Sequence, residues 1–191
     1  MMTRGVSSIT TIALVFLLLA TWFQGAALAA PEIPWRKLTW ADFTAPPPDP
    51  LPSDGDVTIK AESSVGLSLS SWDCPRGPLP TAQAVFDSGR SWVAPNAGTP
   101  ELLAHEQGHF DIAQIYALKL QQEINKLADD LAKAKDKDDC DKLTKKIDDL
   151  YDKYDKQQRA EQDKYEKDTN HGTNADAQAK WQKKIAKDLG K

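Results

Sequence analysis

His105 and His109 stand four residues apart with Glu106 beside the first, in the stretch LLAHEQGHFD at residues 102–111. On a helix, side chains at that spacing project from one face a turn apart, close enough for two imidazoles to hold one metal ion. In HExxH sites the glutamate is the general base acting on the metal-bound water. These residues could therefore perform zinc-assisted hydrolysis. The competing reading is a polar stripe on a solvated helix. Running an apolar seam backward from Ala113 reaches Phe110 and Glu106, so the histidines flank the face that packs inward. Unpaired His and Glu would be costly there, and a metal accounts for them better than solvation does.

A structural zinc site fills its four positions with protein ligands, mostly Cys or His, whereas a catalytic one keeps a place for water. No cysteine lies in the motif, so an open site with three protein ligands is expected. Ile112 and Ile115 occupy the places where a metzincin continuation needs glycine and histidine. The remaining candidates for a third ligand are Glu161, Glu166, Asp168 and His171.

The helices that must position these residues narrow the choice. Thr99 can cap a helix whose first turn holds Pro100 and Glu101. Ala113, Ala117, Leu120, Ile124, Leu127, Leu131 and Ala134 continue it at heptad spacing, KAKDKDD interrupts, and Leu143, Ile147, Leu150 and Tyr154 resume on a second helix. Two arms of about 40 Å each, paired antiparallel, return DTNHG to the start of the first helix. His171 is thus the expected third ligand, with Gly172 permitting a tight turn. Glu166 and Asp168 are the alternatives, and an exposed loop histidine is the competing reading. Tyr165 and Arg90 are candidate oxyanion stabilisers for which a surface position is expected. Trp181 and Ile185 mark one face of a last amphipathic helix.

Upstream, Val57, Ile59 and Ala61, then Val65, Leu67 and Leu69, alternate as strands with one buried face do. AVF and SWV flank the turn DSGR as a hairpin would, and SWV could offer an edge to an extended peptide. The fold class expected is α+β: a small antiparallel sheet packed on an HExxH helix that extends into a long antiparallel helical hairpin, plus a C-terminal helix. Residues 1–29 read as a signal peptide and 30–54 as an N-terminal arm and proline-rich linker. Residues 55–191 read as one zincin-like metalloprotease domain, with a sheet region at 55–98 and a helical region at 99–191. The large side chains of Trp35, Leu38, Trp40 and Phe43 are expected to tuck the arm onto the core.

The signal peptide has Arg4 as its only charge, ITTIALVFLLLA as its apolar run and ALAA before cleavage between Ala29 and Ala30. An uncleaved anchor is the rival, but the run is short for a bilayer and none follows it. A bacterial protein exported to the periplasm or secreted, with no stable membrane span after cleavage, is expected. Cys74 and Cys140 are the only cysteines. An oxidising compartment would allow a disulfide between them, although Cys140 falls near the hairpin tip, far from the sheet. The net charge is −4, and no basic patch with interleaved aromatics is present, which argues against a nucleic-acid partner.

LLAHEQGHFDIA followed by YEKDTNHG, with WRKLTWADF ahead of both, resembles the bacterial predicted secreted zinc-dependent proteases. The resemblance covers most of the chain after the leader. It implies a zincin-like hydrolase with Zn2+ on His105, His109 and His171, Glu106 as catalytic base, and a peptide or protein as substrate. The function expected is a secreted zinc-dependent peptidase. The alternative is an exported helical-hairpin binding protein whose zinc site is structural or vestigial.

Overall fold

The computed structural model describes residues 32–191. The expected signal peptide at residues 1–29 and its expected cleavage point lie outside the described residues. The helix α1 (Pro100–Asn125) begins where the sequence places it, with the Thr99 side chain accepting the Leu102 amide at 3.2 Å and Pro100 in the first turn. Its apolar residues point in more than one direction. Phe110, Ala113, Ala117, Leu120 and Ile124 belong to one core, and Ile112 and Ile115 to another. A helix clothed in apolar side chains on several faces must be covered on several faces. Here the sheet lies on one side and two later helices on the others.

The chain leaves α1 at Lys126–Leu127, forms the short α2 (Ala128–Lys133) and returns along α3 (Lys137–Thr169). Leu143, Ile147 and Tyr154 of α3 share the first core with the α1 seam. After a turn, α4 (Ala175–Asp188) is capped by Asn174, and it buries Trp181 and Ile185 against Ile112 and Ile115. These pairings form the antiparallel hairpin and the C-terminal helix expected from the spacing.

The strands are β1 (Glu32–Pro34), β2 (Ser53–Asp54), β3 (Val57–Thr58), β4 (Ala61–Glu62), β5 (Val65–Leu69), β6 (Ala82–Asp87) and β7 (Trp92–Val93). A three-stranded antiparallel sheet runs in the order β1-β6-β5, and β2–β3 and β4–β7 form two-stranded antiparallel ladders. Phe86 of β6 meets Phe110 with ring centroids 5.7 Å apart and Phe43 at 5.1 Å, and a buried aromatic of this kind contributes about 2–3 kcal/mol. The architecture is α+β.

Two expectations are corrected here. AVF and SWV do not pair with each other: β6 pairs with β5 and β1, and β7 with β4. The Asp87 carbonyl accepts the amides of Arg90 and Ser91 and the Ser91 hydroxyl, so DSGR curls the chain off the sheet instead of reversing it in plane. One edge of β7 is consequently taken by β4. The N-terminal arm is also more than a covering segment, since β1 adds a strand to the sheet. Beyond β1, Gln107 of α1 accepts the Leu38 amide at 2.7 Å and donates to the Arg36 carbonyl at 3.3 Å, and Trp35 Nε1 donates to Asp111 at 2.8 Å.

Cys74 and Cys140 are bonded, with Cα atoms 5.7 Å apart. The β5–β6 connection reaches out along the helical arm, packing Trp72, Cys74 and Leu79 beside Leu127 and Leu131. That reach resolves the apparent distance between the sheet and the start of α3. No helix among the described residues is long and apolar enough to cross a membrane.

Candidate metal centre

Enclosure of α1 leaves His105 2%, Glu106 2% and His109 7% exposed. The two Nε2 atoms are 3.3 Å apart. Glu166, in the last turns of α3, brings Oε1 to 3.0 Å from His109 Nε2 and Oε2 to 3.5 Å from His105 Nε2. Donor atoms from these three residues lie within 4.8 Å of one another. Ligands on a tetrahedral zinc with ordinary bond lengths are separated by about 3.3–3.6 Å, which the 3.3 Å between the two Nε2 atoms matches. Glu166 Oε2 is buried without a hydrogen-bond partner, a loss of about 1–3 kcal/mol that a cation would relieve. The donor set of two imidazoles and a carboxylate is one zinc accepts.

Glu166 stands where His171 was expected. Asn170, His171 and Gly172 have φ of 48°, 54° and 76°, a left-handed run that leads the chain around the end of α3. Gly172 then lies directly against the His105 ring, where an added Cβ would come within 2.8 Å of Cγ. His171 is carried beyond Glu166. Its Nδ1 is 3.0 Å from Glu166 Oε2, without the alignment of a hydrogen bond, and its Nε2 is 3.2 Å from Asp54 Oδ2. His171 therefore borders the cluster without joining it. Asp168 turns away to Lys164 and to Trp181 Nε1, and Glu161 pairs with Lys184 at 2.7 Å.

The two carboxylates are driven apart electrostatically. Burial pushes the Glu106 carboxyl above the ordinary carboxylate range, against the opposing pull of His109 and His105. For Glu166 burial acts the same way, but the adjacent His105 and His109 outweigh it and hold the group far below that range. Burial disfavours the charged form of His109 too, yet Glu166 and Glu106 raise its pKa. Ser63, between β4 and β5, donates to Glu106 Oε2 at 2.5 Å.

Outer contacts hold the rings. His109 Nδ1 is 2.6 Å from Gln162 Oε1, and His105 Nδ1 is 3.1 Å from Gln178 Oε1. Tyr165 is fully buried, contrary to its expected surface position. Its ring stacks on His105 with centroids 4.8 Å apart, and its hydroxyl donates to the His105 carbonyl. Arg90 is exposed and paired with Asp87. Neither faces the cluster as an oxyanion donor would. Ser63 and Gln178 carried no signal of their own in the sequence, and Gln162 only its place in the phase of α3.

Tyr165 also explains the glycine inside the motif. A Cβ on Gly108 would overlap the Tyr165 hydroxyl and approach Cζ to 2.7 Å. Alanine gains about 1 kcal/mol in helix propensity over glycine, but overpacking a closed core costs about 1–3 kcal/mol. Gly108→Ala is expected to lower the melting temperature by about 2–6 °C in thermal unfolding. An unchanged or raised value would show that Tyr165 yields.

A cleft of about 660 Å3 opens over the cluster, walled by residues 56–61 and floored by His105, Glu106, Glu166 and His171. The fold and site thus define an α+β chain with a His–His–Glu donor cluster at the foot of a cleft. The profile of a family described as bacterial proteins of unknown function (DUF922) matches residues 73–172, and the chain belongs to that family. The matched stretch contains the HExxH motif, Glu166, His171 and both cysteines. No curated protein and no solved structure matches the chain.

Proposed function

We propose that this protein is an exported zinc-dependent peptidase in which His105, His109 and Glu166 hold the metal and Glu106 is the general base. The observation carrying this reading is the convergence of His105, His109 and Glu166, whose donor atoms lie within 4.8 Å of one another beside a cleft that also reaches the Glu106 carboxyl. The resemblance of HEQGHFD to secreted zinc-dependent proteases supports it. Export is supported by the apolar leader and by the Cys74–Cys140 bond, which suits an oxidising compartment.

When bound, zinc supplies Lewis-acid polarisation of a carbonyl and lowers the pKa of a water toward neutrality. Glu106 would take the proton of the attacking water and deliver it to the departing amine. The hydroxyl joins the acyl carbon, the C–N bond breaks, and Glu106 returns to its starting state. Ser63 holds Glu106 Oε2, leaving Oε1 to carry the proton. Glu166, kept ionised, would balance charge and be the third protein ligand. A structural site would use four protein ligands, and the cluster offers three, which favours catalysis over a hairpin binding protein with a structural or vestigial metal.

Metal analysis of the purified protein, paired with a casein or peptide-library assay with and without chelator, tests the reading. One zinc per chain and chelator-sensitive hydrolysis restored by zinc are expected. His105→Ala or His109→Ala should abolish binding, and stoichiometric zinc in the double variant would sink the site. Full zinc occupancy without hydrolysis of any peptide would favour the binding protein.

A further inference from the structure

We infer that Gln162 and Gln178 are positioning residues that lock His109 and His105 in the Nδ1–H tautomer, leaving both Nε2 lone pairs for one cation. The inference rests on the zinc reading and goes beyond it by assigning the groups that hold the ligands. The directions of the hydrogen bonds follow from two backbone carbonyls of α1, which can only accept.

At His109 the loop is short. Its carbonyl is 2.9 Å from Gln162 Nε2, so the amide NH2 must face it, since the reverse orientation would set oxygen against oxygen. Gln162 Oε1 is then fixed against the ring, 2.6 Å from His109 Nδ1. An oxygen there requires a proton on Nδ1. At His105 the loop takes one more step. Its carbonyl accepts the Tyr165 hydroxyl proton at 3.1 Å, so the Tyr165 oxygen must act as acceptor toward its other neighbour, Gln178 Nε2, at 2.6 Å. Gln178 Oε1 therefore faces His105 Nδ1 at 3.1 Å and likewise demands a proton.

Each loop begins on a histidine's own carbonyl and closes on that histidine's ring. A flipped Gln162 would set oxygen against the His109 carbonyl, and a flipped Gln178 would draw the Tyr165 proton away from the His105 carbonyl. The acceptors are uncharged amides, so they orient the rings without adding negative charge to a site that already holds Glu106 and Glu166. The hydrogen bond made by one ring nitrogen decides which nitrogen is left for a metal, and loss of such outer partners typically weakens metal binding about 10–100-fold. Gln178 lies on α4, beyond the segment matched by the family profile, so the His105 loop is closed from outside that segment.

The test uses the full chain loaded with zinc. Ring 15N spectra should show Nδ1 protonated and Nε2 ligated on both histidines, with slowly exchanging Nδ1 protons. Gln162→Met should speed exchange of the His109 proton alone, Gln178→Met that of the His105 proton alone. Each should weaken zinc binding about 10-fold. Should the Met variants fail to fold, the wild-type ring spectra decide by themselves. Ligation through Nδ1, or Met variants with wild-type exchange and affinity, would overturn the clamps while leaving the metal site standing. A wild-type protein that takes up no zinc would overturn both.

Discussion

Glu106→Gln is expected to retain one zinc per chain and to lose peptide hydrolysis by about 10²–10⁴-fold, the span general-base catalysis contributes. Glu106 lies on the same turn as His105, but the close donor cluster is His105, His109 and Glu166. Burial pushes the Glu106 carboxyl pKa up, which makes the ionised group a stronger proton acceptor. A glutamine fills the same volume and can still accept from Ser63, so neither the core nor the ligand geometry has cause to shift. It cannot take a proton. Zinc content and turnover measured on one preparation separate the outcomes. A near wild-type rate would assign the base elsewhere, and loss of zinc together with activity would make Glu106 a ligand.

The helical half of the fold was legible because its information is local. Thr99, Pro100 and the spacing of Ala113 to Ile124 specify α1 and its packed face without reference to distant residues. The strands were legible as elements but not as partners. AVF, DSGR and SWV have the composition of a hairpin, yet Asp87 gathers three donors and redirects the chain, and β6 takes β1 from some fifty residues upstream. Pairing across such a separation leaves no periodic trace. The reach of the Cys74 loop was hidden for the same reason.

At the site, the pattern of His105, Glu106 and His109 was readable from spacing, whereas Glu166 stood behind His171 because the matched arm lengths and the imidazole's chemistry both favoured DTNHG. The seam of α3 contained a better signal. Beyond Tyr154 it continues through Gln158, Tyr165 and Thr169, all buried, and so carries Gln162 and Glu166 on its flank to the start of α1. Those positions are polar, so a search for apolar residues ends one step too early. Helix phase could have identified them. The left-handed run at Asn170–Gly172 could not have been anticipated at all three positions, because only one of them is a glycine.

That run leads to the sharpest division between the two candidate ligands. Glu166→Gln should weaken zinc binding by well over the roughly 10–100-fold typical of an outer partner, because it removes the only carboxylate in the donor cluster. His171→Ala should stay within that range, since the ring touches Glu166 Oε2 and Asp54 rather than the two Nε2 atoms. Asp168→Ala should not change affinity, its carboxylate being engaged with Lys164 and Trp181. Helical circular dichroism should remain near wild type in all three, as each substitution lies at or beyond the last turn of α3. Competition with a chromophoric chelator ranks the three affinities directly. If His171→Ala proves the most damaging and Glu166→Gln the mild one, the turn must close inward on the metal, and Glu166 becomes the outer partner of a histidine ligand. The order of the two affinities, rather than either alone, distinguishes a His–His–Glu site from a three-histidine site.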